Sequence, residues 1–122
     1  MKTILICEDE MPLRELVRAS LGPGYRFAEA ADGNEGLELA RKLRPDLIIL
    51  DLMLPGRSGT EVLDSLRADV GMDTTPVIVV TAWTHVDDDV LAAGASRFVR
   101  KPFDPDELRD MVEELLDREG RT

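Results

Sequence analysis

The chain has one cysteine, one histidine, one tryptophan and one tyrosine among 122 residues, and lysine is only three of its 15 basic residues. Each shortage excludes something. Cys7 has no second cysteine for an internal disulfide, which fits a reducing, cytoplasmic setting. The one histidine, His85 near Trp83, cannot build a Ser-His-Asp or Cys-His catalytic group. Apolar runs are short: residues 4–7, 47–50 and 77–80 reach four residues each. A membrane helix needs roughly 18, so no membrane association is expected. The start, Met1-Lys2-Thr3-Ile4, leads directly into a strand-like segment with no cleavage pattern, so no signal peptide is expected. Basic charge is also scarce, with 25 acids against 15 bases and a net charge of −10. That balance opposes nucleic-acid binding through this domain, which wants a basic face, and favours basic partners or cations.

The length suits one domain, over residues 1–122. Residues 3–7, 25–30, 46–51, 76–81 and 96–100 read as strands. Helical periodicity runs between them. It is carried by Leu13, Leu16, Val17 and Leu21, by Leu37, Ala40 and Leu43, and by Val62, Leu63, Leu66 and Val70. A short helix is expected at about 86–93. A last one is expected over 104–119, where Asp104-Pro105-Asp106-Glu107 reads as a cap and first turn. That last helix holds eight acids and two arginines, which reads first as a solvated face.

Strands and helices alternate, and the central strands are apolar without a break. A parallel sheet covered on both faces has that pattern. The expected fold is therefore α/β: a doubly wound, five-stranded parallel sheet with five helices. The two most polar strands, 25–30 and 96–100, belong at its edges, giving the flavodoxin-like order 2-1-3-4-5.

Ligands of such sheets bind beyond the carboxyl ends of the strands, where the strand order reverses. Glu8-Asp9, Asp51, Thr81 and Arg100-Lys101 stand at those ends. Carboxylates gathered there repel and call for a compensating charge. Hard oxygen ligands with room for a phosphate suit Mg²⁺. A carboxylate beside that ion can act as a nucleophile and form an acyl phosphate. Thr81 could donate to a phosphoryl oxygen, and the compact ammonium of Lys101 could pair with another. Two phosphate-loop signals are rejected. Gly22-Pro23-Gly24 follows a helix instead of a strand, and Gly56-Arg57-Ser58-Gly59 lacks the lysine of a P-loop.

The sequence resembles the receiver domains of two-component response regulators over its whole length. The likeness rests on Ile4-Leu5-Ile6-Cys7-Glu8-Asp9-Glu10, on Asp51-Leu52-Met53-Leu54-Pro55-Gly56-Arg57-Ser58-Gly59, on Val79-Val80-Thr81-Ala82, on Gly94-Ala95 and on Lys101-Pro102-Phe103. The resemblance implies that Asp51 is the phosphoacceptor, supplied by a sensor histidine kinase or a phosphotransfer protein. Asp9 would bind Mg²⁺ directly and Glu8 through water, with Asp51 and the Met53 backbone carbonyl completing the ligands. Thr81 and Lys101 would hold the phosphoryl oxygens, Thr81 and Phe98 would form the switch, and the bond before Pro102 would be cis. By the same resemblance Met53 and Trp83 would flank the site; many members carry polar groups at these positions, so the two bulky apolar side chains are a departure, expected to shield the acyl phosphate from water.

The implied protein is a signalling switch that catalyses only its own phosphorylation and dephosphorylation and acts on an unknown downstream protein. An aspartyl-phosphate phosphatase is disfavoured, because Met53 stands where such enzymes carry a second aspartate. The alternative is a phosphorylation-independent adaptor on the same fold. The thirteen steps from Thr81 to Gly94 are fewer than this family usually has, and the last helix is acidic. Two copies of that helix would repel, so a monomer or weak dimer is expected.

Overall fold

The computed structural model describes residues 1–82 and 93–120. The elements are β1(Thr3–Cys7), α1(Met11–Leu21), β2(Arg26–Ala30), α2(Gly33–Leu43), β3(Leu47–Leu50), α3(Gly59–Ala68), β4(Val77–Thr81), β5(Arg97–Arg100) and α4(Pro105–Gly120). Trp83, His85 and residues 86–92 of the helix expected at about 86–93 lie outside the described residues. The strands form one parallel sheet in the order β2-β1-β3-β4-β5.

Composition explains that order. In β1, β3 and β4 every apolar side chain is buried, because helices cover both sheet faces. Strand side chains alternate between faces. Leu5, Cys7, Ile48, Leu50 and Val79 therefore pack against Leu37, Ala40, Val62, Leu63 and Leu66 of α2 and α3. Ile4, Ile6, Ile49, Ile78 and Val80 face Val17, Leu21, Leu108, Val112, Leu115 and Leu116 of α1 and α4. β2 and β5, with arginine and glutamate in them, take the half-covered edges.

Local chemistry sets where the helices begin. Asp32 caps α2 by accepting from the Glu35 amide at 2.8 Å. Ser58 and Glu61 form a reciprocal capping box at the start of α3. The Asp104 carboxylate accepts from the Asp106 amide at 2.9 Å, before α4. Gly22, at φ 81°, ends α1 in a conformation that suits glycine.

One expectation fails. Val70 does not lie on α3; the helix ends at Ala68, and Val70 is 89% exposed. Asp69 turns extended at the helix end, and Met72, 1% exposed, fills the core instead. Arg67 holds that turn by donating from Nη1 to the Met72 carbonyl at 3.0 Å and from Nε to the Gly94 carbonyl at 2.9 Å. Leu16 and Leu43 remain at helix margins, about four-tenths exposed.

Candidate functional site

Parallel strands bring all their carboxyl ends to one edge, and the chain crosses from β2 to β3 on either side of β1. In register, Cys7 pairs with Leu50, so Glu8 and Asp51 leave the sheet side by side. The Asp51 amide donates to the Cys7 carbonyl at 3.0 Å, which locks that step. Thr81 ends β4, and the Lys101 amide donates to the Thr81 carbonyl at 2.9 Å. The Lys101–Pro102 peptide bond is cis, as expected.

Glu8, Asp9 and Asp51 each offer a carboxylate oxygen within 4.8 Å of the others. Glu8 and Asp51 are buried and Asp9 is exposed. Lys101 Nζ donates to Glu8 Oε1 at 2.6 Å and to Asp51 Oδ2 at 2.9 Å. The other Asp51 oxygen, Oδ1, accepts from the Met53 amide at 3.0 Å. Met53 is 52% exposed. Phe98 sits on β5 opposite Val79, half-buried against the α2–α3 core, with the Arg100 guanidinium 6.0 Å from its ring centroid.

The electrostatics follow from several carboxylates sharing one ammonium. Burial raises the Glu8 carboxyl above its ordinary 4.5; the Lys101 and Glu10 hydrogen bonds oppose this, while Asp9 and Asp51 push it further up. Burial alone would lower the Lys101 ammonium, but hydrogen bonds and charge from Glu8 and Asp51 outweigh it and raise it above 10.5. The lysine is thus oversupplied with negative charge, and the glutamate is undersupplied with positive charge. A pocket in that condition favours a further cation.

Glu8, Asp9, Asp51 and Lys101 are therefore brought together, with Thr81 at the adjoining strand end. Nothing in the sequence singled out Arg14, which donates from Nη1 to the Glu8 carbonyl at 2.7 Å and from Nε to Glu29 Oε1 at 2.9 Å. An arginine on an amphipathic helix reads as a surface residue until the loop before it is placed.

A doubly wound parallel sheet with carboxylates and a lysine at its switch point defines a class of α/β protein that binds ligands at that edge, here with an acidic cluster that could hold a metal ion. Within that class, the response regulator receiver domain family matches residues 4–113, and the chain belongs to it. DNA-binding response regulator MtrA of Mycolicibacterium smegmatis is 43% identical over 118 residues, covering 94% of this chain and 50% of that protein. Phosphate regulon transcriptional regulatory protein PhoB of Pseudomonas aeruginosa is 38% identical over 122 residues, covering 98% of this chain and 53% of that protein. The chain thus spans about half the length of these curated relatives. Among solved structures, the receiver domain of the Francisella response regulator 1452 superposes with a TM-score of 0.89 at 29% identity, covering 98% of this chain and 99% of that one. The chemotaxis response regulator CheY4 of Vibrio cholerae does so with a TM-score of 0.85 at 31% identity, covering 94% and 98%. The chain is a receiver domain of the two-component type, with a signalling role.

Proposed function

We propose that Asp51 accepts a phosphoryl group from a phosphohistidine on a sensor histidine kinase or phosphotransfer protein, and that the modified form alters a partner-binding surface. The observation that carries this reading is Lys101 bridging Glu8 and Asp51 inside a buried acidic pocket. Lys101 pairs with one Asp51 oxygen and the Met53 amide with the other, so the carboxylate has a fixed orientation for attack.

One Asp51 oxygen forms a bond to phosphorus while the phosphorus–nitrogen bond to the donor imidazole breaks. The imidazole nitrogen keeps the electron pair and takes a proton. Lys101 and Thr81 then hold phosphoryl oxygens and offset their charge. Glu8, Asp9 and Asp51, with the Met53 backbone carbonyl, fit Mg²⁺ as hard oxygen donors, and the ion would supply charge neutralisation for the entering group. In dephosphorylation, a separate step, water attacks phosphorus, the phosphorus–oxygen bond to Asp51 breaks, inorganic phosphate leaves and the Asp51 carboxylate is restored. In this sense the domain catalyses only its own modification.

The covalent group biases two preexisting states. Thr81 moving toward the phosphoryl group opens space for Phe98, which is half-buried, to turn further inward. A cytoplasmic location and a monomeric or weakly dimeric state go with this reading.

Intact mass after incubation with acetyl phosphate and Mg²⁺ tests it. The expected result is one phosphoryl adduct on the unaltered protein and none on Asp51→Asn. No adduct on either, together with no binding of beryllofluoride, would leave a phosphorylation-independent adaptor as the correct reading.

A further inference from the structure

We propose that Arg14 is a positioning residue of the metal pocket, clamping the main chain at Glu8 so that the carboxylates of Glu8, Asp9 and Asp51 stay together before a cation arrives. This role rests on the metal-site reading above.

The clamp is visible bond by bond. Arg14 lies on α1, and its side chain is only 16% exposed. Its Nη1 donates to the Glu8 carbonyl at 2.7 Å, while Nε donates to Glu29 Oε1 at 2.9 Å. The other oxygen of Glu29 pairs with Arg18 at 3.1 Å. Glu29 sits on β2 in register with Ile6 of β1. The guanidinium fork is therefore oriented from the edge strand, and it passes that orientation to the residue carrying a candidate ligand. Every polar group of Glu8 is engaged. Its amide donates to Ala30, its carbonyl accepts from Arg14, Oε1 accepts from Lys101, and Oε2 accepts from the Glu10 amide.

Such a clamp has work to do. Neighbouring carboxylates repel, and the Glu8–Glu10 segment lies between β1 and α1, outside the strand ladder. Asp51 is tied through its amide to Cys7 and through its carboxylate to the Met53 amide, and Glu8 has the matching ties, to Ala30 and from the Glu10 amide. What Glu8 has in addition is the Arg14 bond at its carbonyl, and loss of that bond is expected to let repulsion displace the first loop.

The sign of one measurement separates positioning from simple charge. A guanidinium near the pocket repels a divalent cation, so by Coulomb's law alone its removal tightens Mg²⁺ binding. Loss of positioning weakens it. Groups that orient a metal ligand by hydrogen bonding to it typically contribute ~10-fold or more in affinity. Calorimetric titration of Mg²⁺ is therefore expected to give a dissociation constant about 10-fold higher for Arg14→Ala. Arg14→Lys keeps the charge but not the fork, and it should also weaken binding. Arg18→Ala loses the same charge and a bond to the same Glu29, but no contact to Glu8; it should bind as the unaltered protein does. In the metal-free protein, hydrogen exchange at the Glu10 amide should quicken in Arg14→Ala and not in Arg18→Ala. Phosphorylation by acetyl phosphate should slow at low Mg²⁺ and recover at saturation.

If Arg14→Ala and Arg14→Lys bind Mg²⁺ as tightly as the unaltered protein, or if Arg18→Ala weakens it equally, Arg14 has no positioning role. If Arg14→Ala does not fold, the Lys variant decides by the same criterion. No Mg²⁺ binding by the unaltered protein overturns the metal-site reading itself, and this role with it.

Discussion

Two loops that each carry a carboxylate of the pocket meet at the end of the sheet, and they are held in different ways. The first, Glu8–Glu10, runs from β1 to α1 and, besides backbone bonds at its two ends, is tied by side chains. Arg14 takes the Glu8 carbonyl, the Glu8 carboxylate takes the Glu10 amide, and Lys101 takes Glu8 Oε1. The second runs from Asp51 to Ser58 and is tied mostly by backbone. Asp51 donates to Cys7, Gly59 donates to Leu52, and Gly33 donates to Pro55. Glycines admit its close approaches: a Cβ on Gly33 would lie 1.6 Å from the Arg57 carbonyl oxygen, and one on Gly59 would lie 2.3 Å from that of Asp51. A loop held by charged side chains should respond to charge, metal and pH. A loop held by backbone contacts should respond to added volume instead.

The largest effect expected is from Lys101→Ala without metal. It strands two carboxylates whose side chains are 7% and 6% exposed. Breaking a buried pair in this way costs about 3–5 kcal/mol. Denaturant unfolding should show that loss, and Mg²⁺ should return part of it. The pH dependence has a definite sign. The Lys101 pKa is raised on folding, so its stabilisation is complete below pH 10.5 and disappears as the pH rises through the higher folded value. The difference between Lys101→Ala and the unaltered protein should therefore shrink at high pH. The Glu8 carboxyl is also raised, so its protonated form favours folding. Its contribution is present below pH 4.5 and is lost as the pH rises through the folded value. Acidification toward that range should accordingly recover stability in the variant.

Next in size is Gly33→Ala, which forces backbone apart at the second loop. Overpacking typically costs about 1–3 kcal/mol, and a contact this close with backbone puts it at the upper end. The loss should be the same with and without Mg²⁺, because no charge is involved. A loss that Mg²⁺ repairs would break the distinction between the loops.

Mg²⁺ itself should stabilise the unaltered protein by about 2.7 kcal/mol at 100 times its dissociation constant. A thermal melt measures this directly. Asp51→Asn should reduce the gain, since one carboxylate of the cluster is lost.

The smallest effect concerns Cys7, beneath both loops and 1% exposed. Burial, aided by the charge of Glu35, pushes its thiol up to about 12. Iodoacetamide at pH 8 should leave the folded protein unlabelled and react on unfolding. Gly33→Ala should speed that labelling by opening the fold more often.

Much of this was legible beforehand. Unbroken apolar runs in β1, β3 and β4 identified the buried strands, and charges in β2 and β5 identified the edges. Glu8, Asp9, Asp51 and Lys101 were found because parallel strands carry their carboxyl ends to one place. Val70 was misread because periodicity continues past the residue where Asp69 turns extended, and no local pattern marks that turn. Arg14 and Glu29 were missed for another reason. Each is an ordinary charged residue in its own segment, and the pairing spans fifteen positions from α1 to the edge strand.

The sequence by itself determined the layer architecture, the strand order and the identity of the acidic pocket, because hydrophobic patterning and strand-end chemistry are local signals carried by neighbouring residues. Only the tertiary structure decided how that pocket is held. Lys101 bridges two carboxylates 93 and 50 positions away, and Arg14 is aimed by Glu29 from an adjacent strand. Such bonds depend on distances of a few ångströms between segments far apart in the chain, and those distances exist only once the sheet and its covering helices have packed.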